Sequence, residues 1–351
     1  MAVRVIVAGA GGVRGLDWVR EIKSADGFHL SACVDTDEDA LSKAAAAHSL
    51  SPAECFLSLD DALQAVPCDA VIIATPADLH TKACETALES GHACLVEKPF
   101  TTNLSDAVRL VHLAEDKRAP LLVAQNYRYM RAFRTARRLI QEGALGRVGL
   151  VTCQYYKVPH AMAASLSKLK HSVLWGMGVH HLDALRYVLG EKVSAALAES
   201  FTLPWGELPE GASLRVMLQM EGGARAFYSA SYESSGHEFF ERGQEFYARF
   251  TGERATLHLF HRWLVLCERK RLPRFIRRGR RVMSEEQVLL SQLWNAINDS
   301  HYEPEVSGRD NLQTMAVVEA CLRSAAEGRW INTQELLDEA EKGAACLSHR
   351  H

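Results

Sequence analysis

The stretch with the most chemistry per residue is Glu97-Lys98-Pro99, which closes the apolar run Ala93–Val96. A short run of that kind, with a β-branched member, suits a strand buried on both faces. Pro99 biases Lys98 towards an extended backbone and so holds it at the strand's end. In an open parallel sheet, ligands sit at the carboxyl ends of the strands. A lysine there is a candidate proton donor or acceptor, because burial and neighbours move its pKa readily. A surface ion pair between Glu97 and Lys98 is the competing reading of the same residues.

The second group is Gly9-Ala10-Gly11-Gly12-Val13-Arg14-Gly15, between an expected strand Val3–Ala8 and an expected helix Leu16–Ser24. Gly9 and Gly11 let the turn tighten and let backbone approach a pyrophosphate set on the helix N-terminus, with Gly12, Val13 and Arg14 alongside. In G-x-G-x-x-G the third glycine falls at position 14, where this chain has Arg14; Gly15 serves if the turn is one residue longer. Asp35 closes the next expected strand, Leu30–Val34, and lies 26 residues after Gly9, a workable spacing for a carboxylate on the adenosine ribose. A helix N-cap is its other reading, although Thr36 or Asp37 can supply that. A carboxylate repels a 2′-phosphate, so NAD is the favoured cofactor, while Arg14, able to reach a phosphate, keeps NADP open. Thr75 and Pro76, at the end of the expected strand Ala70–Ala74, should border the cofactor. His80 stands beside them at a helix start, where a structural histidine is the competing reading.

These residues need a scaffold, and 351 residues with 48% hydrophobic and 24% charged side chains suit two globular domains. Strands and helices alternate through the first part, as a doubly wound sheet requires. The expected division is a nucleotide-binding domain at 1–125, a substrate and oligomerisation domain at 126–335 and a tail at 336–351. Residues 193–268 alternate in the strand manner, with Glu221-Gly222-Gly223 as a hairpin turn. The expected helix Trp175–Leu189 carries His180 and His181, which are adjacent, point to different sides and do not chelate one ion, so no metal is expected. From the residues alone, His180 reads as a buried, hydrogen-bonded helix histidine.

Net charge of −3 provides no global field for nucleic acid or membranes. The segment from Arg269 to Arg281 holds eight basic residues, read as a phosphate, acidic-sugar or nucleic-acid patch or, on the overall charge, as a solvated loop or subunit contact. Nine cysteines without a C-x-x-C point to reduced thiols in a cytoplasmic compartment. The apolar start runs straight into glycines, as a first strand and not a signal peptide does, and no apolar run approaches the roughly 18 residues of a spanning helix.

The order of the glycine turn, Ala74-Thr75-Pro76 with His80, Glu97-Lys98-Pro99, Asn126-Tyr127-Arg128 and Gly178-Val179-His180-His181-Leu182-Asp183 resembles the glucose-fructose oxidoreductase / inositol dehydrogenase / rhizopine-catabolism family. The late stretch from Pro304 to Gly328 is similar to that family's C-terminal helix, so the likeness covers about residues 3 to 331. It implies an α/β fold: an N-terminal Rossmann domain with a doubly wound parallel sheet, then an α+β domain with a large, open, mainly antiparallel sheet. It also implies an NAD(P)-dependent dehydrogenase acting on a secondary alcohol of a sugar, cyclitol or related polyol, assembled as a homodimer or homotetramer through the second sheet. By residue matching, Lys98 contacts the substrate hydroxyl and the nicotinamide ribose, and His180 is the general base. Glu97 holds or tunes Lys98, and Asn126, Tyr127, Arg128, Lys157 and Asp183 are candidates for the substrate shell. The chain departs from the family's D-x-G-x-H pattern at Gly176, where an aspartate is usual. Two other functions fit the same likeness: an NAD-dependent glycosidase using transient oxidation, and a catalytically silent NAD-binding regulator.

Overall fold

The runs Val5–Ala8, Ala70–Ile73 and Ala93–Val96 contain no charged or amide side chain, and every residue in them is buried. Such runs fit a sheet covered on both faces, and that is their place in the computed structural model. The structure describes residues 2–157, 168–234, 244–260, 263–277 and 283–348.

The chain forms two units. The first opens with β1 (Val3–Ala8), α1 (Val13–Ser24), β2 (Phe28–Val34), α2 (Glu38–His48), β3 (Cys55–Phe56), α3 (Leu59–Ala65), β4 (Ala70–Ile73), α4 (His80–Glu89), β5 (Ala93–Val96), α5 (Leu104–Lys117) and β6 (Leu121–Val123). All its strand pairs are parallel, in the order β3-β2-β1-β4-β5-β6. The order reverses between β1 and β4, the switch point where a doubly wound sheet opens a crevice at its carboxyl ends. Asp37, and not Asp35, caps α2, its side chain accepting from the backbone N–H groups of Asp39 and Ala40.

The second unit continues with α6 (Arg131–Gln141), β7 (Val148–Lys157), α7 (Val179–Leu189), β8 (Val193–Phe201), β9 (Ser213–Met220), β10 (Arg225–Ser231), β11 (Gln244–Gly252), β12 (Ala255–Phe260), β13 (Leu264–Glu268) and β14 (Arg274–Ile276). The last elements in chain order, shared between the two units, are α8 (Glu285–Asn298), α9 (Gly308–Glu327), β15 (Ile331–Asn332) and α10 (Thr333–Ser348). The second sheet runs β14-β13-β12-β11-β7-β10-β9-β8-β15 and is antiparallel except between β7 and β10. Alternation sorts its faces: Val151, Cys153, Tyr155, Val216, Leu218, Ala226 and Tyr228 are buried, while Leu150, Met217 and Phe227 on the other face are exposed. The β9–β10 turn is made at Glu221-Gly222-Gly223.

Three expectations are corrected. A single break at residues 125–126 does not describe the division, because Met283–Leu312 and the residues from Ala340 onward belong to the first unit. The reason is the open edge of β6: Val123 N–H donates to Val306 O at 2.8 Å, and Leu122 bridges Ser307. The expected tail from 336 is instead the body of α10. The basic segment is not all loop, since Arg274–Ile276 is an edge strand on β13 and Glu268 holds Arg271 and Arg274. Arg278, Arg280 and Arg281, and the loop residues 158–167 with His160, lie outside the described residues.

Candidate active site

The first unit builds a cradle at the carboxyl ends of β1, β4, β5 and β6. Gly9 turns the chain out of β1 at φ +81°, and a Cβ there would stand 2.6 Å from the Ala74 carbonyl carbon. A Cβ on Gly15 would stand 2.0 Å from Gly9 O, so Gly15 is the close-packing glycine and the turn is one residue longer than G-x-G-x-x-G. The extra residue also lets α1 begin at Val13, with Gly12 at its N-cap and no side-chain cap bond. Val13 itself is 81% exposed, a large apolar group at the helix N-terminus with no cover from the protein. Asp35 Oδ2 accepts from Gly11 N–H at 2.9 Å, fixing the turn against the end of β2.

The registers Ile73↔Val96 and Val96↔Val123 bring three strands to an end together. Two residues further on, Thr75, Lys98 and Gln125 therefore leave the sheet at one level. Thr75 Oγ1, both amide atoms of the fully buried Gln125, and Asn126 Oδ1 are buried without a hydrogen-bond partner. Unmet polar atoms of this kind are costly unless a ligand or water meets them. Lys98 is half-buried among them, and burial, aided by Arg14 and opposed by Glu97, lowers its pKa.

Several of the predicted cofactor contacts have hydrogen-bond partners within the protein. Glu97 is 5% exposed, and its Oε1 accepts from Arg14 Nε at 2.8 Å and Trp18 Nε1 at 2.9 Å, while Oε2 faces Lys98 N–H at 3.3 Å. Arg14 also meets Glu286 and Asp17, so most of its donors face carboxylates. His80 is buried, with Nδ1 2.8 Å from Pro99 O and Nε2 2.9 Å from Thr75 O. Burial lowers its pKa. A neutral ring has one N–H, so His80 donates to one of these two carbonyl oxygens, and its ring lies between the segments that carry Thr75 and Lys98. Pro76 is exposed beside them.

In the second unit His180 is 6% exposed and stacks on Tyr127, with ring centroids 4.4 Å apart. It stands just past a π-helical turn, Leu174–Gly178, which contains Gly176 and leads into α7. Such turns are frequent at functional sites. His181 faces the sheet, its Nδ1 2.7 Å from Tyr228 Oη, so the two histidines do point apart. Lys157 is half-buried at the end of β7, its pKa lowered by burial. Arg128 and Asp183, expected in the substrate shell, instead form a buried fork, with Nε to Oδ2 at 2.7 Å and Nη2 to Oδ1 at 2.6 Å. Asp183 is fully buried, and Thr314 Oγ1 donates to its Oδ1 at 2.7 Å. Its carboxylate is thus committed to packing.

Sequence reasoning missed Trp18, Gln125 and Glu286. Gln125 left a signal, a buried-length apolar strand ending directly in an amide; Glu286 left none. Among the described residues no group of three or more His, Cys, Asp or Glu is placed to hold a metal, and no helix is long and apolar enough to cross a membrane. The glycine cradle and the orphaned atoms of Thr75, Gln125 and Asn126 fit a dinucleotide: a pyrophosphate against residues 9–13, a ribose near Asp35 and a nicotinamide end at the strand tips.

Comparison with known proteins agrees with that fit. Residues 3–125 match the family model described as an oxidoreductase family with an NAD-binding Rossmann fold, and residues 133–258 match the model of the same family's C-terminal domain. The chain is 28% identical to a D-apiose dehydrogenase of Paraburkholderia graminis over 91% of this chain and 86% of that one. It is also 28% identical to an inositol 2-dehydrogenase of Rhizobium meliloti over 66% of this chain and 69% of that one. Among solved structures, an Agrobacterium radiobacter oxidoreductase in complex with NAD+, L-tartaric acid and magnesium superposes with a TM-score of 0.85 at 22% identity, covering 96% of this chain and 100% of that one. An inositol dehydrogenase homologue of Azotobacter vinelandii, complexed with NADH and myo-inositol, gives 0.81 at 19% identity, covering 95% and 98%.

Proposed function

The chain belongs to the GFO/IDH/MocA family of NAD-binding oxidoreductases, and from that premise we propose that it transfers hydride between the nicotinamide and a secondary alcohol of a sugar, cyclitol or related polyol, with Lys98 and His180 acting on the reacting oxygen. NAD, when bound, supplies the hydride acceptor. Gly9, Gly11, Gly12 and Val13 would hold its pyrophosphate, Asp35 its adenosine ribose, and Thr75, Gln125 and Asn126 its nicotinamide end.

Two groups act in this reading. Lys98 offers a fixed cation to an oxygen on which charge develops, a stabilisation worth most where water is excluded. His180 takes the hydroxyl proton as general base, its ring plane set by Tyr127. Lys157, at the end of β7, is the next candidate to touch a substrate hydroxyl.

The observation that carries this reading is the level row of Thr75, Lys98 and Gln125 at three strand ends, where polar atoms stand unmet beside an amine. The names of the relatives, an apiose and an inositol dehydrogenase, support the polyol class. The test mixes the protein with NAD and a panel including D-apiose and myo-inositol and follows the absorbance of reduced cofactor. Steady NADH formation with at least one polyol is expected; cleavage of an aryl glycoside without net NADH, or NAD binding with no turnover of any alcohol, would reject it. The exposed face of the second sheet, with Leu150, Met217 and Phe227, is the surface on which we place a second copy of the chain. Light scattering of a Phe227→Glu variant should then show a smaller particle than wild type.

A further inference from the structure

The turn's extra residue moves the close-packing glycine to position 15 and frees position 14 to carry a side chain. That side chain reaches across the sheet ends. Arg14 Nε and Nη2 approach one oxygen, Glu97 Oε1, at 2.8 and 2.7 Å, and Nη2 lies 3.2 Å from Glu286 Oε1. Its Nη1 meets Asp17 at 3.3 Å, and the guanidinium lies 5.7 Å over the Trp18 ring. Glu286 Oε1 in turn accepts from Asn126 Nδ2 at 3.4 Å. One residue of α1 therefore ties together α8 and the tips of β5 and β6.

We infer that Arg14 is a positioning residue for Lys98: it commits Glu97 Oε1 to its own guanidinium, with Trp18 as the third donor, and so fixes the segment from which Lys98 projects. The inference rests on Lys98 being the group that acts at the reacting oxygen. Without Arg14 the carboxylate would keep only neutral donors among these contacts, Trp18 Nε1 and the Lys98 N–H, and a full charge to share with the adjacent lysine. The fork is specific to arginine, since a lysine at 14 would bring one compact charge and no second donor in plane. Among the described residues, Glu97 and Arg14 act on Lys98; Asp17, Glu97 and Glu286 surround Arg14; His80 of α4 is a further titratable neighbour of Glu97.

Competitive acetylation with acetic anhydride across pH, read at Lys98 by peptide mass spectrometry, tests this without any substrate. In Arg14→Gln the half-labelling pH of Lys98 should rise by about one unit or more, because a cation is lost and Glu97 is freed. A midpoint within about 0.3 unit of wild type overturns the inference. If the glutamine variant is too unstable to label, Arg14→Lys carries the test, with a smaller rise expected from loss of the fork and an unchanged midpoint contradicting it. The outcome is independent of turnover. Loss of the functional reading would show as an active Lys98→Met enzyme, and that result leaves the labelling shift in Arg14→Gln where it is.

Discussion

Tyr127 and His180 lie face to face, their ring centroids 4.4 Å apart and their planes inclined by 15°. The stack holds the imidazole's plane without using either ring nitrogen, as the proposed role of His180 requires. Burial pushes the Tyr127 hydroxyl up to about 12, so its phenol stays neutral through the working range. Tyr127→Phe preserves the stacking area and should keep kcat within about threefold of wild type. Tyr127→Ala removes it and should lower kcat by about tenfold or more with a smaller change in KM. Equal activity of both variants would show that the stack does not orient the base.

The Arg128–Asp183 fork makes a prediction about stability. Arg128→Ala leaves a buried carboxylate with its main partner gone, a loss of about 3–5 kcal/mol by analogy with other broken buried pairs. Urea unfolding should show that drop, and the double variant Arg128→Met/Asp183→Leu should recover part of it. A drop below about 1 kcal/mol would mean that the pair is not holding the core.

Gly15 and Gly12 separate packing from composition. A Cβ at Gly15 would collide with Gly9 O at 2.0 Å, whereas one at Gly12 meets the same atom at an ordinary 3.5 Å. Gly15→Ala should therefore weaken NAD binding by about a hundredfold or fail to fold. Gly12→Ala should bind NAD within a few-fold of wild type by isothermal titration. The opposite ranking would show that the turn has another shape.

Buried thiols set a pH dependence. Burial raises Cys33 to about 12, Cys68 to about 11 and Cys321 to about 12, each from 9.0. Above pH 9 the unfolded chain releases these protons while the folded one retains them. Their contribution is thus complete below pH 9 and is lost as pH rises through 11 to 12. Urea midpoints should fall over that window, each such thiol contributing up to about tenfold per pH unit in the unfolding constant. At pH 8 the buried Cys33 and Cys321 should also resist iodoacetamide until the protein unfolds, while the half-buried Cys55, Cys68 and Cys267 react sooner. Equal alkylation rates for all five would contradict the burial.

Much of the frame was legible because it is local. Apolar runs followed by glycine, threonine-proline or a charged pair gave the parallel sheet and its functional ends, and the Glu221-Gly222-Gly223 turn gave the hairpin. What escaped was non-local. Nothing near Arg14 says that its partner is Glu97, 83 residues away, or that Glu286 closes the cluster. Asp183 sits at the right helical spacing to orient His180, but spacing along one helix does not reveal an arginine 55 residues upstream that claims both oxygens. The return of the chain to β6 is equally hidden, since an unpaired strand edge has no signature in the residues that later cover it.

The proposal turns on Lys98. The most direct measurement is NADH formation by wild type and Lys98→Met on the best polyol of the panel, alongside the NAD affinity of each by isothermal titration. The account predicts that kcat falls by about a thousandfold or more while NAD affinity changes by less than about fivefold. A methionine variant that turns over within tenfold of wild type, or that loses NAD binding and activity together, would contradict it.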